Sequence, residues 1–135
     1  MTDRFDRQTR SLMMAAVRSK NTSPELAVRK LLSVLGFRYR LHYAGLPGKP
    51  DIVFVRMRKV IFVHGCFWHR HSGCALASVP QSRTEFWKRK FEANVSRDER
   101  TLGELEAAGW HALVVWQCEL KNIAGVAERL KSFLL

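Results

Sequence analysis

The chain has 135 residues, with 23 Lys or Arg against 12 Asp or Glu, a formal charge of +11 and a pI near 10.3. At 47% hydrophobic and 26% charged it has the composition of a folded globular protein, not of a disordered chain. Its longest apolar stretches, such as 60–63 and 113–116, are strand-sized and far too short to cross a bilayer. A chain of this size buries roughly two-thirds of its unfolded surface, so one domain over 1–135 is expected, with a polar, loose segment at 1–8. No charged-then-apolar leader opens it, so secretion is not expected. Neither a basic amphipathic helix nor a lipid signal points to a membrane. The charge excess lies wholly in the first hundred residues. Ten basic groups face three acidic ones in 1–50, ten face five in 51–100, and three face four in 101–135. Such a field favours a polyanion, most simply nucleic acid.

A first helix is predicted over 9–19, where Leu12, Met13, Ala16 and Val17 form a partial apolar face. A second is better marked. Ser23 is a natural N-cap, Pro24 fits the first helical position, Gly36 fits the stop, and Leu26, Leu31, Leu32 and Leu35 supply a buried stripe. Three strands are predicted next, over 37–42, 51–56 and 60–64. Turn chemistry fills 46–50, and 57–59 is short enough for a hairpin. Residues 65–83 read as irregular. A helix or broken helix pair follows over 84–108 and stops at Gly109. A strand over 111–116 comes next, its run 113–116 suited to burial on both faces, and a last helix covers 124–134. The order predicts an α/β fold, a mixed β-sheet with helices on its faces.

Three cysteines are an odd number for a disulfide framework, and metal binding is the better reading. Cys66, His71 and Cys74 offer three ligands within nine residues, and Cys118 can close the set just past the fourth strand. The site has no open position, so it reads as a structural zinc holding a loop with little apolar mass. His69 competes with His71 as the fourth ligand on spacing alone. The plainer alternative is three unconnected buried thiols.

Asp51 opens a strand, His64 ends the partner strand, and His69 lies just beyond. Phosphodiester hydrolysis needs oxygen-bound Mg²⁺ against the developing charge and a base near the attacking water. One carboxylate with a neighbouring main-chain carbonyl can seat the ion, and an imidazole can take the proton. Taken singly, Asp51 is a turn residue, His64 a strand-end side chain and Glu25 a partner of the helix dipole. The constellation is what points to chemistry.

The strings Leu-Pro-Gly-Lys-Pro-Asp ending at Asp51, Val-Ile-Phe-Val-His-Gly-Cys-Phe-Trp-His ending at His69, Arg-Thr-Glu-Phe-Trp ending at Trp87, Ala-Gly-Trp at 108–110 and Val-Trp-Gln-Cys ending at Cys118 match in order. Together they resemble the very-short-patch repair (Vsr) mismatch endonucleases over roughly residues 9–120. The resemblance implies a zinc-containing branch of the PD-(D/E)xK nuclease fold. It implies nicking of one strand of duplex DNA on the 5′ side of the thymine in a T:G mismatch. By position, Asp51 resembles the Mg²⁺ carboxylate, Val63 the residue lending a main-chain carbonyl to that ion, and His69 the general base. His64 and Glu25 resemble groups that order metal-bound water and phosphate. Cys66, His71, Cys74 and Cys118 resemble the Zn²⁺ ligands, which leaves His69 for catalysis. A monomer in a bacterial-type cytoplasm, acting at the nucleoid with other mismatch-repair proteins, is implied as well. The chain departs from the wider nuclease fold in lacking an acidic-x-Lys element on the second hairpin strand. Within the branch it departs at Lys49, at Ser72-Gly73 and at Gln117.

Phe67 and Trp68 are adjacent aromatics between metal ligands, placed to wedge into a weakened base step. Trp87 resembles a further member of this aromatic wall, and Met14 a residue entering from the opposite groove. For both, ordinary core packing at helical spacing is the competing explanation. Arg10, Arg18, Lys20, Arg83, Lys88, Arg89 and Lys90 are candidates for phosphates. The rival functions are a nuclease of the same fold with other specificity and a zinc-stabilised DNA-binding module without catalysis.

Overall fold

A computed structural model of the chain describes residues 22–135. The predicted first helix, with Met14, Arg10, Arg18 and Lys20, and the segment 1–8 lie outside the described residues.

Helix α1 spans Ser23–Val34. Its cap is Thr22, one residue earlier than predicted, whose hydroxyl accepts from the Glu25 amide at 3.3 Å. Two hydroxyl residues precede Pro24, and the proline is tolerated anywhere in the first turn, where backbone N–H groups lack helical partners. The cap therefore slips to Thr22. The helix ends as predicted at Gly36, which takes φ +87°, while the Phe37 amide returns to the Leu32 carbonyl.

Among the described residues the sheet has four strands in the order β1 (Arg40–Leu41), β2 (Ile52–Phe54), β3 (Lys59–His64) and β4 (His111–Trp116). The first two pairings are antiparallel, and β4 runs parallel to β3 after a crossover through α2 (Thr84–Ala107). A 3₁₀ turn (Gln117–Lys121) and α3 (Ile123–Leu134) complete the chain. This is the mixed sheet that the element order predicts. α1 and α3 cover one face through Val28, Leu32, Val126, Leu130 and Leu134, packed on Ile52, Phe54, Ile61 and Val115. α2 covers the other face, where Leu105 meets Val53, Val60 and Phe62.

Three expectations need correction. β1 is only two residues long: pairing begins at Arg40 and not at Phe37, and it ends where His42 leaves the extended region at φ +51°. α2 is one unbroken 24-residue helix, not a broken pair. β4 is not the strand buried on both faces. It lies at the sheet edge and only Val115 is fully covered, whereas β3, in the interior, buries Val60, Ile61, Phe62 and His64.

Gly48 fixes the loop that leads into β2. Its φ is +74°, and a Cβ built there would lie 2.2 Å from Cγ2 of Thr101 on α2. The loop before Asp51 is thus docked directly on the crossover helix. Gly48→Ala is expected to destabilise the fold by about 2–4 kcal/mol, combining backbone strain with overpacking. Thr101→Ala in the same chain should recover only the packing part. Urea unfolding midpoints of the two chains measure both, and an unchanged midpoint for Gly48→Ala would refute the docking contact.

Candidate active site and metal centre

Asp51 stands where the chain enters β2. Its Oδ2 accepts the Val63 amide at 2.7 Å. The register explains why a side chain does this job. Ile52 pairs with Ile61, so two residues further out Pro50 falls opposite Val63, and proline has no N–H for the ladder. In an extended strand the N–H and C=O of one residue leave from the same edge. The Val63 carbonyl therefore projects toward Asp51, facing a residue that has no donor to offer it.

Glu25, buried to 1% exposure on α1, reaches the same carboxyl. Arg29 lies one turn on, 3.2 Å from Glu25 Oε2, and His42 Nε2 approaches that oxygen at 3.5 Å. Burial raises the Asp51 carboxyl from its ordinary 3.8 to about 7, and Glu25 adds to the rise against the lowering effect of the Val63 amide and His69. Two carboxyls confined together resist carrying two negative charges. That is the donor chemistry a hard divalent cation relieves.

His64 and His69 stack face to face, with ring centroids 3.8 Å apart and planes 6° from parallel. Burial, then repulsion by His69, lowers His64 to about 4, with Asp98 opposing, so this ring is neutral at ordinary pH. His69 Nδ1 lies 2.6 Å from Oδ2 of Asp98 on α2. An ionised carboxylate only accepts, so Nδ1 carries the proton and Nε2 is left as the basic nitrogen. Asp98 is a residue the sequence reading missed. The signal was present: Phe91, Asn94, Asp98, Thr101 and Leu105 follow the helical i, i+3, i+4 stripe. An aspartate in that stripe faces the protein and needs a partner.

The four cysteine and histidine ligands converge. The ligand atoms of Cys66, His71, Cys74 and Cys118 all lie within 4.8 Å of one another. His71 Nδ1 is 3.6 Å from Cys66 Sγ and 3.3 Å from Cys118 Sγ. A tetrahedral zinc with ordinary bond lengths sets that edge at about 3.6 Å, so the donor set fits. His69 is not part of this cluster. Cys118 arrives from the strand next door: β3 and β4 are parallel with His64 beside Trp116, so two residues further on Cys66 and Cys118 come side by side. Gln117 Oε1 accepts the Cys66 amide at 3.4 Å, which gives the departure at that position a local role. The Leu76 amide lowers the Cys74 thiol to about 7, while burial raises Cys66 to about 11. Trp116 links the two centres, stacked on His71 at 4.2 Å and edge-on to His64 at 5.2 Å.

Phe67 and Trp68 are half-buried and meet α2, not the core. Phe67 lies edge-on to Trp87 and Phe91 at 5.8 and 5.2 Å, and Trp68 is 6.0 Å from Trp87. Arg70 sits 4.0 Å over the Phe91 ring and donates to the carbonyls of Phe67, Ala77 and Ser78. The Asn94 amide donates to the Trp68 carbonyl at 3.1 Å. The aromatic ledge therefore rests on a loop held by a guanidinium, the cysteine cluster and one helix.

A carboxyl pair, an oriented imidazole and an aromatic ledge on a basic chain are the parts of a nucleic-acid hydrolase. The protein-family model described as "DNA mismatch endonuclease Vsr" matches residues 2–75. The chain belongs to the Vsr family of DNA endonucleases. It is 46% identical over 122 residues to the DNA mismatch endonuclease Vsr of Escherichia coli, covering 90% of this chain and 78% of that one. It is 52% identical over 134 residues to the type II nicking enzyme V.XorIIP of Xanthomonas oryzae pv. oryzae, covering 99% and 98%. Among solved structures, the catalytic domain of the homing endonuclease I-Bth0305I superposes with a TM-score of 0.60 at 23% identity, over 84% of this chain and 94% of that one. The Vsr-family fold is thus shared with an endonuclease of a different kind.

Proposed function

We propose that this Vsr-family endonuclease nicks one strand of duplex DNA on the 5′ side of the thymine in a T:G mismatch, and so opens very-short-patch repair. The observation that carries the reading is the His69–Asp98 pair at 2.6 Å, beside the Asp51–Glu25 carboxyls and outside the cysteine cluster. In this reading Asp51 and the Val63 carbonyl hold Mg²⁺, which when bound offsets charge on the phosphate and acidifies a water. His69 Nε2 takes the proton of the attacking water, and Asp98 keeps the opposite nitrogen protonated and the ring in place. His64 stays neutral and packs against His69, and with Glu25 it orders water and phosphate. Zn²⁺ in the Cys66, His71, Cys74 and Cys118 cluster fixes the loop that bears His69. Phe67, Trp68 and Trp87 form the wedge for a step that a mismatch has already weakened. Met14, outside the described residues, is assigned to the other groove. In this reading the enzyme acts as a monomer.

The test is strand-resolved cleavage of otherwise identical duplexes carrying T:A, T:G or another mismatch, with Mg²⁺ present or withheld. Nicking of the thymine strand of the T:G duplex alone, dependent on Mg²⁺, is expected. Equal cutting of the matched duplex would reject mismatch specificity, and binding without cleavage under all conditions would reject catalysis.

A further inference from the structure

We propose that His42 is a positioning residue for the Glu25 carboxylate and, through it, for the divalent cation assigned to Asp51. The inference rests on the cation site proposed above and extends it to a residue whose side chain does not touch the phosphate in that reading.

His42 follows β1 directly and takes φ +51°, a backbone region that only a few per cent of residues with a Cβ adopt, Asn, Asp and His more often than the rest. The turn brings the imidazole inward. Its Nε2 is shielded from solvent and has no hydrogen-bond partner among the described residues. The nearest acceptor is Glu25 Oε2 at 3.5 Å, longer than a made hydrogen bond. A buried ring nitrogen held short of a buried carboxylate is an interaction that a small rotation of Glu25 completes. Arg29 approaches the same oxygen from one helical turn away. Arg29 therefore holds Oε2, and His42 stands within reach of the same oxygen. The Glu25–His42 contact, once closed, sets where the other Glu25 oxygen stands beside Asp51. Strained backbone is retained where surrounding structure over-determines it, which is common at functional sites.

The test uses the full zinc-loaded chain and two substitutions that separate backbone fit from reach. Asn suits the left-handed backbone but its amide nitrogen is one bond too short to meet Glu25. Gln reaches as far as the imidazole nitrogen does. Mn²⁺ binding, followed by the paramagnetic resonance of free Mn²⁺ without DNA, is expected to weaken about tenfold in His42→Asn and to stay within about threefold of the parent in His42→Gln. The Mg²⁺ concentration for half-maximal nicking should rise by a similar factor in His42→Asn, with metal-free DNA affinity unchanged. A merely structural role predicts the reverse order, since Asn is the better left-handed residue. Unchanged Mn²⁺ affinity in His42→Asn overturns the proposal, and so does a His42→Gln chain that binds Mn²⁺ as weakly as Glu25→Gln. Glu25→Gln is also the control for the underlying site. If it weakens Mn²⁺ and His42→Asn does not, the His42 role alone falls. If Glu25→Gln has no effect, both fall.

Discussion

His69→Ala is expected to slow single-turnover nicking of a T:G duplex by about 10³-fold, within the range lost with a general base, while DNA affinity stays within a few-fold. The ring sits away from the cysteine cluster, so its loss leaves the zinc ligands intact. Asp98→Asn is the sharper test. The carboxylate at 2.6 Å accepts from Nδ1 and leaves Nε2 basic. An amide in its place can present its N–H₂ to the ring instead, which favours the opposite tautomer and protonates the nitrogen meant to receive the water's proton. A loss of about 10²-fold is expected, with zinc content unchanged. His64 does not rescue Asp98→Asn, because burial and the neighbouring His69 ring hold it down to about 4 and it carries too little basicity at neutral pH. Wild-type rates in Asp98→Asn would remove His69 from the role of base.

The parts of this site that were legible in the sequence are those fixed by local chemistry. The Pro50-Asp51 step, the β3 run ending at His64 and the Gly36 stop all stand where their residue types require, because turns, strand periodicity and helix ends are written in neighbouring residues. The cysteine and histidine ligands were legible because few residue types bind zinc. What was not legible depends on register. The side-by-side arrival of Cys66 and Cys118 follows from the parallel pairing of β3 and β4, which no local pattern announces. The exposure of β4 depends on its place at the sheet edge, and an apolar run reads alike at an edge and in the middle. Asp98 was overlooked because one more charged residue on a helix rich in both signs of charge reads as solvated unless its stripe is traced. His42 was overlooked because its direction comes from a left-handed backbone that histidine does not advertise.

Asp51→Asn is expected to abolish nicking and yet to stabilise the protein above neutral pH when no divalent cation is added. The sign follows from the carboxyl being raised from 3.8 to about 7, chiefly by burial. A group whose native value is raised contributes its full stability below the unfolded value and loses it as pH climbs through the native one. Between pH 4 and 7 the native state therefore holds a proton that the unfolded chain has released, and stability drains away across that window. Above it the native fold carries a buried charge at a cost of up to about 4 kcal/mol. Asn keeps an oxygen for the Val63 amide but never ionises, so its chain escapes this loss. Thermal melts of zinc-loaded protein at pH 5 and pH 8 measure the effect. The two proteins should lie close together at pH 5, and Asp51→Asn should melt several degrees higher at pH 8. Mg²⁺ should then raise the melting temperature of the parent and not of the variant, since a ligand stabilises only the state that binds it. An Asp51→Asn chain that melts lower than the parent at pH 8 would contradict the buried charge. A parent indifferent to Mg²⁺ would contradict the cation that the charge is kept for.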